Sequence, residues 1–208
     1  MLSITEELLV LTLDLKHAHV PDKIRPRLKY ALGGALLAQL LEAGLIEIND
    51  HQRVQVIQSE LSNDPIIDEA VQYILESSSS RKVTHWVRIF SQRTKKTINA
   101  LIDRLCENHV LDITRSSYIW YVPFEPALPN VVSAKYWYKD KLRQVVLKPD
   151  LEPSAHEMLL LQLIHAADLE SMVFTRDERK AVRQWIKEKG IPGGIPNAVK
   201  DVIDEEMI

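Results

Sequence analysis

One cysteine, Cys106, occurs in 208 residues, so no internal disulfide can form. Zinc and iron–sulfur sites built from cysteines are excluded with it. A reducing compartment is the natural setting for such a chain. Within Leu105-Cys106-Glu107 a buried thiol is the ordinary use of the residue, ahead of a nucleophilic one. Glycine is also scarce, at 6 residues, and neither Gly33-Gly34 nor Gly193-Gly194 has the spacing of a phosphate-cradling loop. Small residues inside a buried helix pattern serve close helix packing instead. The longest apolar stretch, Leu32 to Leu41, is broken by Gln39 and falls far short of the roughly 20 residues that cross a bilayer. Glu6 and Glu7 precede Leu8-Leu9-Val10-Leu11 and no basic segment stands before them, which argues against a signal peptide. A cytoplasmic protein that meets membranes only peripherally is expected. Charge of one sign is lacking too: 26 basic residues face 29 acidic ones, for a net charge of −3. With 46% hydrophobic residues the chain is too apolar for disorder and long enough for a substantial core.

What is present is mostly helical. Ser3-Ile4-Thr5-Glu6 has capping-box spacing and opens a helix. Residues 16–26, with His17, His19, Pro21 and Pro26, read as a loop. Arg27 to Glu42 is apolar all round and predicts a buried central helix, ended by Gly44. Leu45 to Ile48 and Arg53 to Ile57 alternate at period two around Asn49-Asp50-His51-Gln52, which predicts a β-hairpin. Asp64-Pro65 starts another helix. Further helices are expected at about 82–91, 94–108 and 135–147, with 123–134 a proline-bearing loop. Val110 to Ile113 and the aromatic segment Tyr118-Ile119-Trp120-Tyr121-Val122 suggest a second hairpin. Ser154-Ala155-His156-Glu157 and Thr175-Arg176-Asp177-Glu178 are two more capping boxes. Leu40 to Ile48 resembles Leu105 to Ile113, so one helix-end unit is used twice. The fold expected is mainly α: a single globular domain over 1–208, with two small hairpins and residues 190–208 a short C-terminal extension. No βαβ alternation supports a doubly wound sheet.

Catalytic patterns are thin. His17-Ala18-His19 has the form of a loop metal pair, but two solvated histidines explain it as well. Asp68-Glu69 are adjacent helix positions and do not face each other. His165 and Asp168, spaced i, i+3, are expected to meet on a helix, more readily as a structural hydrogen bond than as a base and its orienting carboxylate. No enzyme, cofactor or metal is expected.

Charge distribution says more. Arg81, Lys82, Arg88, Arg93, Lys95, Lys96 and Arg104 stand against Asp103 alone between positions 81 and 104, and Lys23, Arg25, Arg27 and Lys29 cluster in 21–29. Basic patches attract phosphate backbones or acidic lipid headgroups. On an extended segment Tyr118, Trp120 and Phe124 share one side, and tyrosine and tryptophan suit a membrane interface.

The order of motifs resembles the Golgi phosphoprotein 3 (GPP34) family. Gly34-Ala35-Leu36-Leu37-Ala38-Gln39-Leu40 through Gly44-Leu45-Ile46-Glu47-Ile48 is similar to its buried helix and following strand. Asn63-Asp64-Pro65-Ile66-Ile67-Asp68-Glu69-Ala70 resembles its GDxLLDEAL segment, Val83-Thr84-His85-Trp86-Val87 its VxxWI helix, and His165-Ala166-Ala167-Asp168 with Phe174 its HAxDxLxxxF helix. The resemblance runs from about residue 2 to 185. It implies a mostly helical domain that binds phosphatidylinositol 4-phosphate at a membrane, and non-catalytic partners such as the cytoplasmic tails of membrane proteins. Where the family places a headgroup-binding tryptophan this chain has Ile24, and where the family places an arginine it has Gly33. At the family's arginine pair stand Lys95 and Ile98. The resemblance therefore implies a divergent or prokaryotic relative in which Lys95, helped by Arg25, Arg27, Arg93 and Lys96, would bind the headgroup.

Two other readings stand beside it. Residues 94–122 have the layout of a winged helix, a basic helix followed by a wing, which would bind nucleic acid. The Tyr118 to Val122 strand would suit an interaction module or homo-oligomer paired through an exposed edge.

Overall fold

The structure, a computed structural model, describes residues 2–14, 20–58, 62, 64–113, 126–127, 129–148, 150–190 and 194–207. Among the described residues the chain is mainly α, with a small three-stranded sheet. Helix α2 (Arg25–Glu42) is its axis: Leu28, Leu32, Leu37 and Leu40 are fully buried. Around it lie α1 (Ile4–Thr12), α4 (Val83–Gln92), α7 (Ala155–Ala166) and α9 (Gly194–Glu206). Helices α3 (Pro65–Leu75) and α5 (Thr94–Glu107) complete one side, and α6 (Pro129–Leu147) and α8 (Glu178–Lys189) the other.

Local chemistry accounts for the ends of these helices. Ser3 and Glu6 form the expected capping box, as do Ser154 and Glu157. At the third, Thr175 N donates to Glu178 Oε2 at 2.9 Å and Glu178 N to Thr175 Oγ1 at 3.4 Å. Asp64 accepts from Ile66 N at 3.0 Å and caps α3. The repeated helix end is real. Leu45 N reaches back to Leu40 O at 3.0 Å past Gly44 (φ +68°), and Val110 N to Leu105 O at 2.8 Å past His109 (φ +56°). A third copy closes α7, where Leu169 N donates to Ile164 O at 2.8 Å past Asp168 (φ +53°). This is the six-to-one closure that satisfies a helix's last carbonyls.

The expected first hairpin is present: β1 (Ile46–Ile48) pairs antiparallel with β2 (Arg53–Val56), with Ile48 opposite Val54. A third strand, β3 (Arg81–Lys82), joins β2 and leads directly into α4. Elsewhere β4 (Asp112–Ile113) pairs with β5 (Pro126–Ala127). The expected strand Tyr118–Val122 and the side of Phe124 lie outside the described residues, as do His17 and His19.

Gly33 and Gly34 explain why α4 and α9 approach α2 so closely. A Cβ on Gly33 would stand 2.8 Å from the Val87 carbonyl oxygen of α4, and one on Gly34 would stand 2.4 Å from Val199 of α9. Two expectations need correction. Helix α6 begins at Pro129, inside the segment read as a loop, because proline at a first helical position has no donor to lose. The segment 190–208 is not an appendage: Ile195, Ala198, Val199, Val202 and Ile203 of α9 are buried on one face at helical spacing.

Candidate anionic-headgroup site

The candidate site starts from the elbow between α4 and α5. Helix α4 ends at Gln92, Arg93 is the joint, and α5 begins at Thr94. The Thr94 hydroxyl donates to Ser91 O at 2.6 Å and reaches Lys29 O of α2 at 3.4 Å, which seats the elbow on the central helix. Arg93, Lys95 and Lys96 are exposed there, and no acidic residue occupies the first turn of α5. Cations beside a helix N-terminus oppose its dipole, so this turn gathers positive potential.

Opposite the elbow stands α3. Lys96 Nζ lies 2.7 Å from Glu69, and the Arg93 guanidinium lies 3.7 Å from the centre of the Tyr73 ring and 3.9 Å from Glu69. Between the helices runs a groove of about 210 Å³. Leu36, Ile66, Ala70, Phe90 and Ala100 make it apolar, and Glu69, Arg93 and Lys96 form its charged rim. Asp68 and Glu69 do diverge as adjacent helix positions must: Asp68 accepts from Ser62 while Glu69 turns to the elbow.

The family positions meet a different fate. Ile24 caps α2 and is buried, and Ile98 is fully buried in the core. Gly33 has no room even for a methyl group without moving the backbone of α4. Ile24 and Ile98 are occupied by core packing, and Gly33 by the close approach of the α4 backbone. Lys95 alone of the four is exposed.

The five predicted cations come from two places in the chain, the start of α2 and the elbow. Arg93, Lys95 and Lys96 lie together on the elbow. Arg25 is held by Val20 O at 3.0 Å and Asp22 at 2.6 Å, and Arg27 pairs with Asp168. The wider basic stretch also divides. Arg88 pairs with Glu205 and Glu206 of α9, and Arg104 with Glu6 and Asp64. Burial, then the neighbouring Arg81 and Arg88, pushes the His85 imidazole below its ordinary value.

The expected pair of His165 and Asp168 does not form. His165 Nδ1 bonds Glu170 at 2.8 Å instead, and Asp168 turns to Arg27 and Arg183. Asp168 sits at positive φ beyond the helix end, so i, i+3 spacing no longer applies. Sequence reasoning missed Tyr73 and Glu69 as partners of the elbow. Both lie on a helix remote in sequence, and only Arg93 and Lys96 themselves hinted at a need for neutralisation. It also missed Tyr136 and Trp137 of α6, which are 64% and 54% exposed and would suit a wet interface.

No helix among the described residues is long and apolar enough to cross a membrane. No curated protein matches the chain. The family model described as Golgi phosphoprotein 3 (GPP34) matches residues 4–206. Its span includes α9 and nearly the whole chain, so this protein belongs to the Golgi phosphoprotein 3 (GPP34) family.

Proposed function

We propose that this chain is a peripheral membrane protein that recognises an anionic phospholipid headgroup with the α4–α5 elbow. The observation that carries this reading is the exposed Arg93–Lys95–Lys96 cluster, set on a helix turn without acidic residues and beside an apolar groove. Membership in the GPP34 family supports it. The elbow takes over from the family positions: it lies on the same stretch of α5, one turn outward from the buried Ile98. Each cation near an anionic surface contributes about 1 kcal/mol, so three give useful but salt-sensitive attraction. Lysines hold phosphate as point charges, and Arg93 adds a planar fork once it leaves Tyr73. Phosphatidylinositol 4-phosphate is the headgroup proposed, in a cytoplasmic setting and without catalysis. The tails of membrane proteins are the proposed cargo.

Co-sedimentation with vesicles tests this. Phosphatidylinositol 4-phosphate, phosphatidylserine and neutral vesicles are compared at low and physiological salt. Phosphoinositide preference that survives salt and is lost in Lys95→Ala/Lys96→Ala is expected. Equal, salt-labile binding to every acidic vesicle would reduce the elbow to a basic surface. Absence of binding would leave the fold without the lipid function and turn attention to protein partners.

A further inference from the structure

A second cationic site lies elsewhere, and shares no residue with the elbow. Helices α7, α8 and α9 enclose a cavity of about 250 Å³, lined by Gln162 and His165 of α7, Lys187 of α8, and Asn197 and Lys200 of α9. Gln162 is only 7% exposed, and its side-chain amide makes no hydrogen bond among the described residues. With no such partner, the amide is left to solvent or to a ligand in the space beside it. It faces the cavity. Gly190, where α8 ends, leaves it space: a Cβ there would stand 3.3 Å from Gln162 Nε2.

The charges around that amide agree in sign. Lys187 and Lys200 are exposed at the rim, and neither has an acidic partner among the described residues. They differ in this from Arg27, Arg88, Lys96 and Arg104, each of which is neutralised by a carboxylate. His165 is oriented by Glu170, which holds Nδ1 at 2.8 Å and leaves Nε2 for the cavity. No carboxylate among the described residues lines the cavity, and Glu170, which orients His165, is itself buried and already engaged by His165 and Arg183. Two ammonium groups, two side-chain amides and an imidazole thus converge on one small space. The volume lies below the roughly 300–1,000 Å³ of pockets that enclose drug-sized ligands, so it suits a single compact group.

We infer that this cavity binds a phosphomonoester dianion, with Lys187 and Lys200 neutralising its charge and the Gln162 amide donating a hydrogen bond from the cavity wall. Lysine is an established phosphate ligand as a point charge. Two lysines match a dianion better than a carboxylate, which would leave one positive charge unbalanced. The group is the same whether it is free in solution or borne by a lipid, and the test separates the two.

The full chain is titrated with inorganic phosphate at constant ionic strength, against chloride. Thermal midpoint and the NMR resonances of the Gln162 side-chain amide are read. A saturable rise in midpoint that chloride does not reproduce is expected, with the Gln162 resonances shifting in step. Lys187→Gln/Lys200→Gln should weaken phosphate at least tenfold while the midpoint without phosphate is unchanged, since both side chains are exposed. Gln162→Leu should fold at least as well as wild type and lose the phosphate response. In a second arm, vesicles carrying phosphatidic acid compete with inorganic phosphate. Competition assigns the site a lipid-borne group; phosphate binding without competition assigns it a soluble one. The inference is overturned if phosphate acts no differently from chloride, or if the double variant responds to phosphate as wild type does. Lys95→Ala/Lys96→Ala should leave the solution titration untouched, so failure at the elbow and failure here are distinguishable.

Discussion

Gly33 of α2 faces the Val87 carbonyl oxygen of α4 across a gap that a single Cβ, at 2.8 Å, would overfill. The contact is backbone against side-chain position, so no rotamer change relieves it. Gly33→Ala should destabilise the protein by about 1–2 kcal/mol, overpacking outweighing the helix propensity gained. Gly33→Arg should fail to fold rather than restore a family-like headgroup site. Urea midpoints check the first and solubility with circular dichroism the second; a stable, lipid-binding Gly33→Arg would refute the account.

Glu69 restrains the elbow, since it holds Lys96 at 2.7 Å and Arg93 at 3.9 Å. Glu69→Gln should release both cations and tighten binding to anionic vesicles about fivefold, the equivalent of one added surface cation. Weaker or unchanged binding in co-sedimentation would mean that the elbow is not the face that meets the membrane.

Arg104 joins three elements, pairing with the buried Glu6 of α1 at 2.7 Å and with Asp64 at the start of α3. Removing it leaves the buried Glu6 carboxylate without its cation. Arg104→Met should cost about 3 kcal/mol. Adding Glu6→Gln should recover part of that loss, because glutamine keeps the capping box without the charge. A double-mutant cycle in urea measures the coupling, and simple additivity would contradict it.

His156 responds to pH. Its Nε2 lies 3.3 Å from the buried Glu7 and its Nδ1 3.5 Å from Glu42. The Glu7 carboxylate, against the opposing effect of burial, holds the imidazole above its ordinary value. A raised folded value means that the folded state binds the proton more tightly. The stability gained is complete below about pH 6.5, the unfolded value, and is lost as pH rises through the folded one. His156→Gln should flatten the stability profile in that window, and an unchanged slope would remove His156 from it.

Lys135 acts in the opposite sense. It is buried on α6, its ammonium donates to Leu13 O, and burial depresses it from 10.5 to about 8. Below pH 8 both folded and unfolded states carry the charge, and folding bears the full desolvation penalty. Between about 8 and 10.5 the folded state releases its proton first, so stability should rise with pH. Lys135→Met should remove this rise when denaturation is followed across that range.

Capping boxes at Ser3 and Ser154, the Asp64-Pro65 start and the Gly44 stop were legible because each is satisfied within a few residues of chain. The all-round apolar pattern of Arg27 to Glu42 likewise marked the central helix, since only a helix covered on every side tolerates it. The similarity of Leu40–Ile48 to Leu105–Ile113 emerged for the same reason, a local closure repeated. By contrast, the start of α6 at Pro129 was hidden by prolines that also suit loops, and the burial of α9 by its acidic tail.

By itself, then, the sequence determined the helical class, the central helix, the first hairpin and the family, all of which rest on spacing along the chain. Tertiary structure decided which charges remain available. Arg93 meets Tyr73, Lys96 meets Glu69, Arg88 meets Glu205 and Arg27 meets Asp168, partners between 20 and 141 positions away. It also decided that Ile24, Gly33 and Ile98 are packing positions, and that Gln162, Lys187 and Lys200 surround one cavity. Neutralisation and burial are properties of neighbours in space, and helix packing brings together residues whose separation along the chain carries no trace of it.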